Sequence, residues 1–323
     1  MQGNSQKALA VLGPTASGKS DVAIQIAKKF EGEIISCDSR QIYRGMSIGS
    51  GKVIRDDYPK DAFFSEGVQH HMIDIVSPRT EYNISKFRDK SLRILPLIIH
   101  KNHLPILCGG TGFWAEFLIE NRELPHIPPN TELRKKLSTY SLKDLQEKLL
   151  SLDSAYYNHI DTANPVRLIR AIEITLHKKQ FPENNESAIE EKVPHKKKNE
   201  SLQWDIVILN PSKELLYKNI EIRLDQRLQE GMLDEVYTLH NENRISWNRL
   251  ESFGLEYRWV SRYLKKEISY EGMRAELLKD IHHYTKRQLT WLRRWERQGR
   301  IFHWAETKEE ALRIADLLCT KRK

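Results

Sequence analysis

Along the first third of the chain, apolar residues come in short runs separated by polar and glycine-bearing joints. Ala8-Leu9-Ala10-Val11-Leu12, Glu33-Ile34-Ile35-Ser36-Cys37-Asp38 and Leu104-Pro105-Ile106-Leu107-Cys108 each have the length of a strand. Between them, Asp21 to Phe30 and Ser85 to His100 read as helices. This alternation is the rhythm of a parallel sheet covered by helices, in which ligands gather beyond the carboxyl ends of the strands. Trp204 to Leu209 predicts a returning core strand, and Leu215 to His240, Tyr257 to Leu264 and Ala275 to Arg297 predict helices after it.

The texture changes between about Asn121 and Lys179. Leu133, Leu137, Leu142, Leu145, Leu149 and Leu152 recur at helical spacing among many lysines and arginines, so this stretch predicts a helical insertion. Phe181 to Ser187 and the mixed charge through His195-Lys196-Lys197-Lys198 predict a linker, its lysine run a solvated patch. The expected organisation is an α/β core of residues 1–118 and 204–323, with residues 119–203 as the insertion and linker. No internal repeat is visible.

Composition narrows the setting. The 323 residues suffice for a sizeable core, and 52 Lys+Arg against 44 Asp+Glu give a formal charge of +8, which favours an anionic partner. The three cysteines, Cys37, Cys108 and Cys319, have neither metal-ligand nor disulfide spacing, which suits a reducing compartment. The amino terminus lacks an apolar signal region, and the longest apolar stretch, near Ile94 to Ile99, is too short to span a bilayer. A soluble, cytoplasmic monomer with no membrane partner is expected.

The densest chemical signal is Gly13-Pro14-Thr15-Ala16-Ser17-Gly18-Lys19-Ser20, a complete phosphate-binding loop between the first strand and its helix. Its glycines let successive backbone N–H groups turn inward, Lys19 adds a mobile charge, the helix adds its positive end, and Ser20 is a candidate magnesium ligand. Asp38 ends the next strand, where a carboxylate can hold magnesium, accept a proton or cap the following N–H groups. Gly109-Gly110-Thr111-Gly112 closes a third strand with glycines and a hydroxyl, as a ligand approaching the backbone requires; Thr111 is either a ligand donor or a helix N-cap.

Three other features read less sharply. His70 and His71, adjacent in an extended segment, point to opposite faces and so predict structural hydrogen bonding rather than a shared metal. Arg167 and Arg170 share one helix face and predict either a phosphate grip or a salt-bridge face with Glu173. From Lys286 to Arg297, basic residues interleave with Trp291 and Trp295, whose spacing favours an apolar stripe against the core, while the arginines stay open to nucleic acid.

Taken in order, GPTASGKS, Asp38-Ser39-Arg40-Gln41-Ile42-Tyr43-Arg44-Gly45-Met46, Ile48-Gly49, His70-His71-Met72-Ile73-Asp74, Gly109 to Gly112, Asn164 to Glu173, and Lys286-Arg287-Gln288-Leu289-Thr290-Trp291 resemble the tRNA dimethylallyltransferase family over nearly the whole chain. The resemblance implies a P-loop NTPase-like α/β fold with a small helical insertion. It implies transfer of a five-carbon prenyl group from dimethylallyl diphosphate to N6 of adenine 37, beside the anticodon of tRNA. By resemblance, residues Gly13 to Ser20 bind the diphosphate with Mg2+, Asp38 is the general base, Thr111 orients the leaving group, and Lys19 with Arg223 neutralises it. It also assigns tRNA contacts, with the anticodon stem-loop, to Asp38, Ser39, Arg40, Gln41, Thr111, Arg134 and Val166-Arg167-Leu168-Ile169-Arg170.

The chain departs from the family in places, as a diverged paralogue would. An Ile-Gly-Tyr segment is here Glu251-Ser252-Phe253-Gly254-Leu255-Glu256, which places two acidic side chains where a polyanion would approach. Ile281-His282-His283 replaces Thr-Arg-Gln, Asn219 stands for a frequent arginine, and Ser50-Gly51-Lys52 stands where Ala-Lys is common. Other readings remain: prenylation of free AMP, ADP or ATP, a small-molecule kinase, and a tRNA-binding protein without catalysis.

Overall fold

The computed structural model describes residues 6–59, 62–122, 127–181 and 202–320. They divide into two compact units, Met1–Arg122 with Glu200–Lys323, and Glu123–Asn199.

The larger unit is built on a seven-stranded sheet of β1 (Lys7–Leu12), β2 (Gly32–Ser36), β3 (Phe63–Ser65), β4 (Val68–His71), β5 (Leu104–Gly109), β6 (Gln203–Leu209) and β7 (His303–Ala305). The order is β3-β4-β2-β5-β1-β6-β7, parallel throughout except for the β3–β4 hairpin. Ala8 to Leu12 are at most 2% exposed, because both faces of β1 are covered; a strand buried on both sides reads as a continuous apolar run rather than an alternation. One face packs on α1 (Lys19–Lys29) and α13 (Lys308–Thr320) through Val22, Ile26, Ala311 and Ala315. The other carries α2 (Ile84–His100), α3 (Gly112–Ile119), α8 (Lys213–Gln229), α9 (Met232–Asn241), α10 (Trp247–Ser252), α11 (Leu255–Leu264) and the long α12 (Tyr270–Arg297).

The helical unit holds α4 (Thr131–Leu137), α5 (Leu142–Leu152), α6 (Ser154–His159) and α7 (Pro165–Gln180). Leu137, Leu145, Leu149, Leu168, Ala171 and Ile172 form its core. Asn164 caps α7 by accepting from the Val166 and Arg167 N–H groups, with Pro165 in the first turn, where a missing N–H costs nothing.

Three differences from the sequence reading have local causes. The helix expected from Leu215 to His240 is two, broken where Gly231 takes φ 96°, a left-handed conformation that a helix cannot continue through. β3, β4, β7, α10 and α13 were not anticipated: the strands are three or four residues long, too short for a period to register. The linker expected after Phe181, with its lysine run, lies outside the described residues.

Candidate active site

Parallel strands deliver their carboxyl ends to one edge of the sheet. There the loop after β1, the ends of β2 and β5, and side chains from α8 and α12 line a single cavity of about 610 Å³, counting the part open to solvent. Thr15, Lys19, Ser20, Asp38, Gly109, Arg223, Tyr284 and Gln288 stand on its wall, and Ile34, Val53 and Ile73 supply an apolar portion. The candidates for phosphate binding and for proton transfer therefore share one space.

The phosphate loop wraps the start of α1. Lys19 folds back so that Nζ donates to the Pro14 carbonyl at 3.0 Å. Burial, and also the nearby Arg223 and Arg227 guanidinium groups, pull the Lys19 ammonium below its ordinary pKa, against the Cys108 thiol and Asp38, which raise it. Arg223 lies in the cavity wall with no carboxylate partner among the described residues; its one hydrogen bond is a long donation to the Gly51 carbonyl, 3.5 Å. Burial, then the like charge of Arg227, bring it down to about 10. Two crowded, poorly neutralised cations on one cavity wall favour an anionic ligand.

Asp38 is both a cap and a reactive candidate. Its Oδ1 accepts from the N–H groups of Arg40 at 2.8 Å and Gln41 at 3.3 Å, which fixes the carboxylate plane. Oδ2 has no partner among the described residues, so one oxygen orients while the other is available. Thr111 occupies the N-cap position of α3 but makes no capping bond. Its hydroxyl instead accepts from the Ser39 N–H at 3.3 Å and is hydrogen-bonded to the phenol of Tyr284, whose pKa burial drives up.

Tyr284 and Gln288, one turn apart on α12, went unassigned in the sequence reading. Gln288 Oε1 accepts from the Thr15 N–H at 2.9 Å and its Nε2 donates to the Gly110 carbonyl at 2.8 Å, so one amide ties the phosphate loop to the glycine turn. A Cβ at Gly110 would lie 2.2 Å from Gln288 Nε2, so a side chain there would push that amide off its bridge. The signal was present in the Lys286 to Trp291 motif, but no spacing rule says that a helical glutamine nearly 180 residues away meets a loop.

The remaining candidates distribute as follows. Arg40 Nε donates to the Phe253 carbonyl at 2.6 Å, and Gln41 reaches the Gly51 carbonyl at 3.1 Å, so both brace the cavity rim. In the helical unit, Arg134 donates twice to the buried Glu173 carboxylate, at 2.9 and 2.7 Å, and Arg170 pairs with the same group. That is the salt-bridge face rather than an open grip. Arg167, exposed, pairs with Asp161 at 3.2 Å, and Val166 is exposed. Leu168 is fully buried in the helical core, so its side chain is not presented at the surface; Ile169 is half-buried. His71 Nε2 meets Glu33 at 2.6 Å while His70 packs edge-on to Phe63, and no cluster of three metal-binding side chains occurs among the described residues. Trp295 is buried at 2% exposure and Trp291 packs over Gly112, as an apolar stripe requires.

With that geometry in place, comparison with known proteins is decisive. The profile described as IPP transferase matches residues 41–295, and the one described as isopentenyl transferase matches residues 6–61. The chain belongs to the IPP transferase family. It is 39% identical over 304 residues to tRNA dimethylallyltransferase 1 of Syntrophus aciditrophicus, covering 94% of this chain and 95% of that protein. It is 37% identical over 310 residues to tRNA dimethylallyltransferase 1 of Geotalea uraniireducens, covering 95% of each. The crystal structure of the tRNA isopentenylpyrophosphate transferase of Bacillus halodurans superposes with a TM-score of 0.66 at 28% identity, over 98% of this chain and 97% of that one. The sheet and loop are thus the P-loop-like fold of IPP transferases.

In this IPP transferase the two acidic departures are each ion-paired. Glu251 is neutralised by Lys265 at 2.9 Å and Arg262 at 3.4 Å. Glu256, 8% exposed, is ion-paired with Arg227 at 2.9 Å. The expectation that both confront a polyanion is corrected for Glu256, which is buried; Glu251 is partly exposed and paired by Arg262 and Lys265.

Proposed function

We propose that this IPP transferase moves a dimethylallyl group from dimethylallyl diphosphate to N6 of adenine 37, beside the anticodon, in tRNA. What carries the reading is one cavity in which the phosphate loop with Lys19, an Arg223 lacking a carboxylate partner, and a free oxygen of Asp38 come together. The chemistry needs those three parts. The adenine nitrogen attacks the allylic carbon, the C–O bond breaks with its electrons passing to the diphosphate, and the N6 proton passes to Asp38 Oδ2. Lys19 and Arg223 take up the charge that grows on the leaving group, where low local dielectric strengthens their effect. Thr111, held by Ser39 and Tyr284, aligns the breaking bond, and Ile34, Val53 and Ile73 shelter the five-carbon chain from water.

Magnesium fits this donor set. Mg2+ takes one or two protein oxygens and otherwise keeps water and substrate phosphates, and the Ser20 hydroxyl on the cavity wall offers one such oxygen. Bound there with the diphosphate, the ion would lower the charge of the leaving group.

The adenine has to leave its stack to reach Asp38. Exposed Lys286, Arg287 and Arg293 on α12 are the proposed contacts for the anticodon stem-loop phosphates. The test is inorganic pyrophosphate release from dimethylallyl diphosphate with Mg2+. Release that depends on a tRNA bearing consecutive adenines after the anticodon supports the reading. Release driven equally by AMP would transfer it to the adenylate class, and ATP turnover to the kinase class.

A further inference from the structure

Arg223 stays free of a carboxylate although a buried one is near. Glu256 lies close enough to act on the Arg223 charge, yet its Oε1 is taken by Arg227 Nη1 at 2.9 Å. The second contact of Arg227 Nη1 is the Gly49 carbonyl at 3.4 Å, so the guanidinium is clamped between the loop and the start of α11. Arg223 and Arg227 sit one turn apart on α8 and crowd the same spot against Gly51. A Cβ at residue 51 would lie 1.6 Å from Arg227 Nη2 and 2.0 Å from Arg223 Nη2, and the backbone there takes φ 61°. Glycine at 51 leaves space for both groups and takes that conformation without strain, whereas a side chain there would push the two guanidinium ends aside. The preceding turn of the same helix offers Asn219, which carries no charge to do the task from the other side.

We infer that Arg227 is a positioning residue for the diphosphate: by occupying Glu256, it keeps Arg223 unpaired and turned to the cavity. The inference rests on the reading of that cavity as a diphosphate site. Without Arg227, a buried carboxylate would be left uncompensated beside a buried guanidinium, and the two would pair. Arg223 would then be drawn off the leaving group, and the net positive charge facing the anion would fall.

The decisive experiment measures binding of inorganic pyrophosphate with Mg2+ by calorimetry to the full chain and to R227M, R227K, E256Q and the double variant R227M/E256Q. R227M should bind about tenfold or more weakly. R227K, which keeps the charge on Glu256, should stay within about threefold of the parent, as should E256Q, and R227M/E256Q should recover to about that level. In steady state, R227M should raise KM for the donor and leave KM for tRNA in place. Parent-like binding by R227M overturns the inference, and so does a double variant as weak as R227M, which would make Arg227 a direct ligand or a purely structural brace. If R227M does not fold, the double variant against E256Q decides: equal affinity supports the inference and a tenfold loss overturns it. A parent chain that does not bind pyrophosphate would overturn the diphosphate reading itself, and the inference with it.

Discussion

Asp38 shows how one carboxylate can serve structure and chemistry together. Its Oδ1 is committed to two N–H groups of the following turn, which costs the side chain its freedom but leaves Oδ2 without a partner among the described residues, on a residue that lines the cavity. Asp38→Ala should therefore lower the rate of the proposed transfer by roughly a hundredfold or more under single-turnover conditions. Pyrophosphate affinity should stay near that of the parent, because the anion is held by other groups. Unchanged turnover would reduce Asp38 to a cap. A second residue-scale prediction concerns His70, 6% exposed and brought down to about 4 by burial, then by His71, against a weaker opposing pull from Asp56. Between its ordinary 6.5 and about 4, the unfolded chain binds a proton that the folded chain refuses. Stability from this group is whole above the upper value and declines as pH falls through that window, by roughly 2 to 3 kcal/mol at its lower end. Urea unfolding of the parent and of His70→Leu should show their stability difference shifting in favour of the variant as the medium is acidified; a constant difference would contradict the assignment.

At the scale of elements, α12 is the part that makes a cavity out of separate loops. Gln288 bridges the phosphate loop and the glycine turn, Tyr284 holds Thr111, and Trp291 closes over Gly112. Gln288→Ala would leave the Thr15 N–H and the Gly110 carbonyl without that partner, at about 1–3 kcal/mol. Thermal unfolding should register the loss, and KM for the prenyl donor should rise. What was legible in the sequence follows from range. β1, β2, β5 and the loop between β1 and α1 are local patterns, continuous apolar runs and glycine spacing, and they emerge with their ends shifted by one or two residues. Asp38 and Thr111 were found because strand ends in a parallel sheet share an edge. Tyr284, Gln288 and the Arg227–Glu256 pair were not, since each depends on where a distant helix docks. The same holds for Arg134 and Arg170, whose shared partner Glu173 becomes evident only when α4 packs on α7.

For the whole molecule, a formal charge of +8 gains a purpose if the acceptor is a polyanion. The exposed Lys286 and Arg287 of α12 are free of carboxylate partners among the described residues, in contrast to the arginines neutralised on Glu173. Charge reversal at both, K286E/R287E, should weaken tRNA binding about tenfold and flatten its salt dependence, with pyrophosphate affinity retained. Binding of equal strength and equal salt slope would place the RNA elsewhere. The central claim is that prenyl transfer to an adenine within RNA takes place in this cavity. It is tested most directly by incubating the chain with dimethylallyl diphosphate, Mg2+ and an unmodified tRNA bearing consecutive adenines after the anticodon, then digesting the RNA and weighing its nucleosides. The account predicts N6-dimethylallyladenosine from the parent and almost none from Asp38→Ala. Folded parent protein that binds pyrophosphate and tRNA yet leaves every adenosine at its original mass would contradict it.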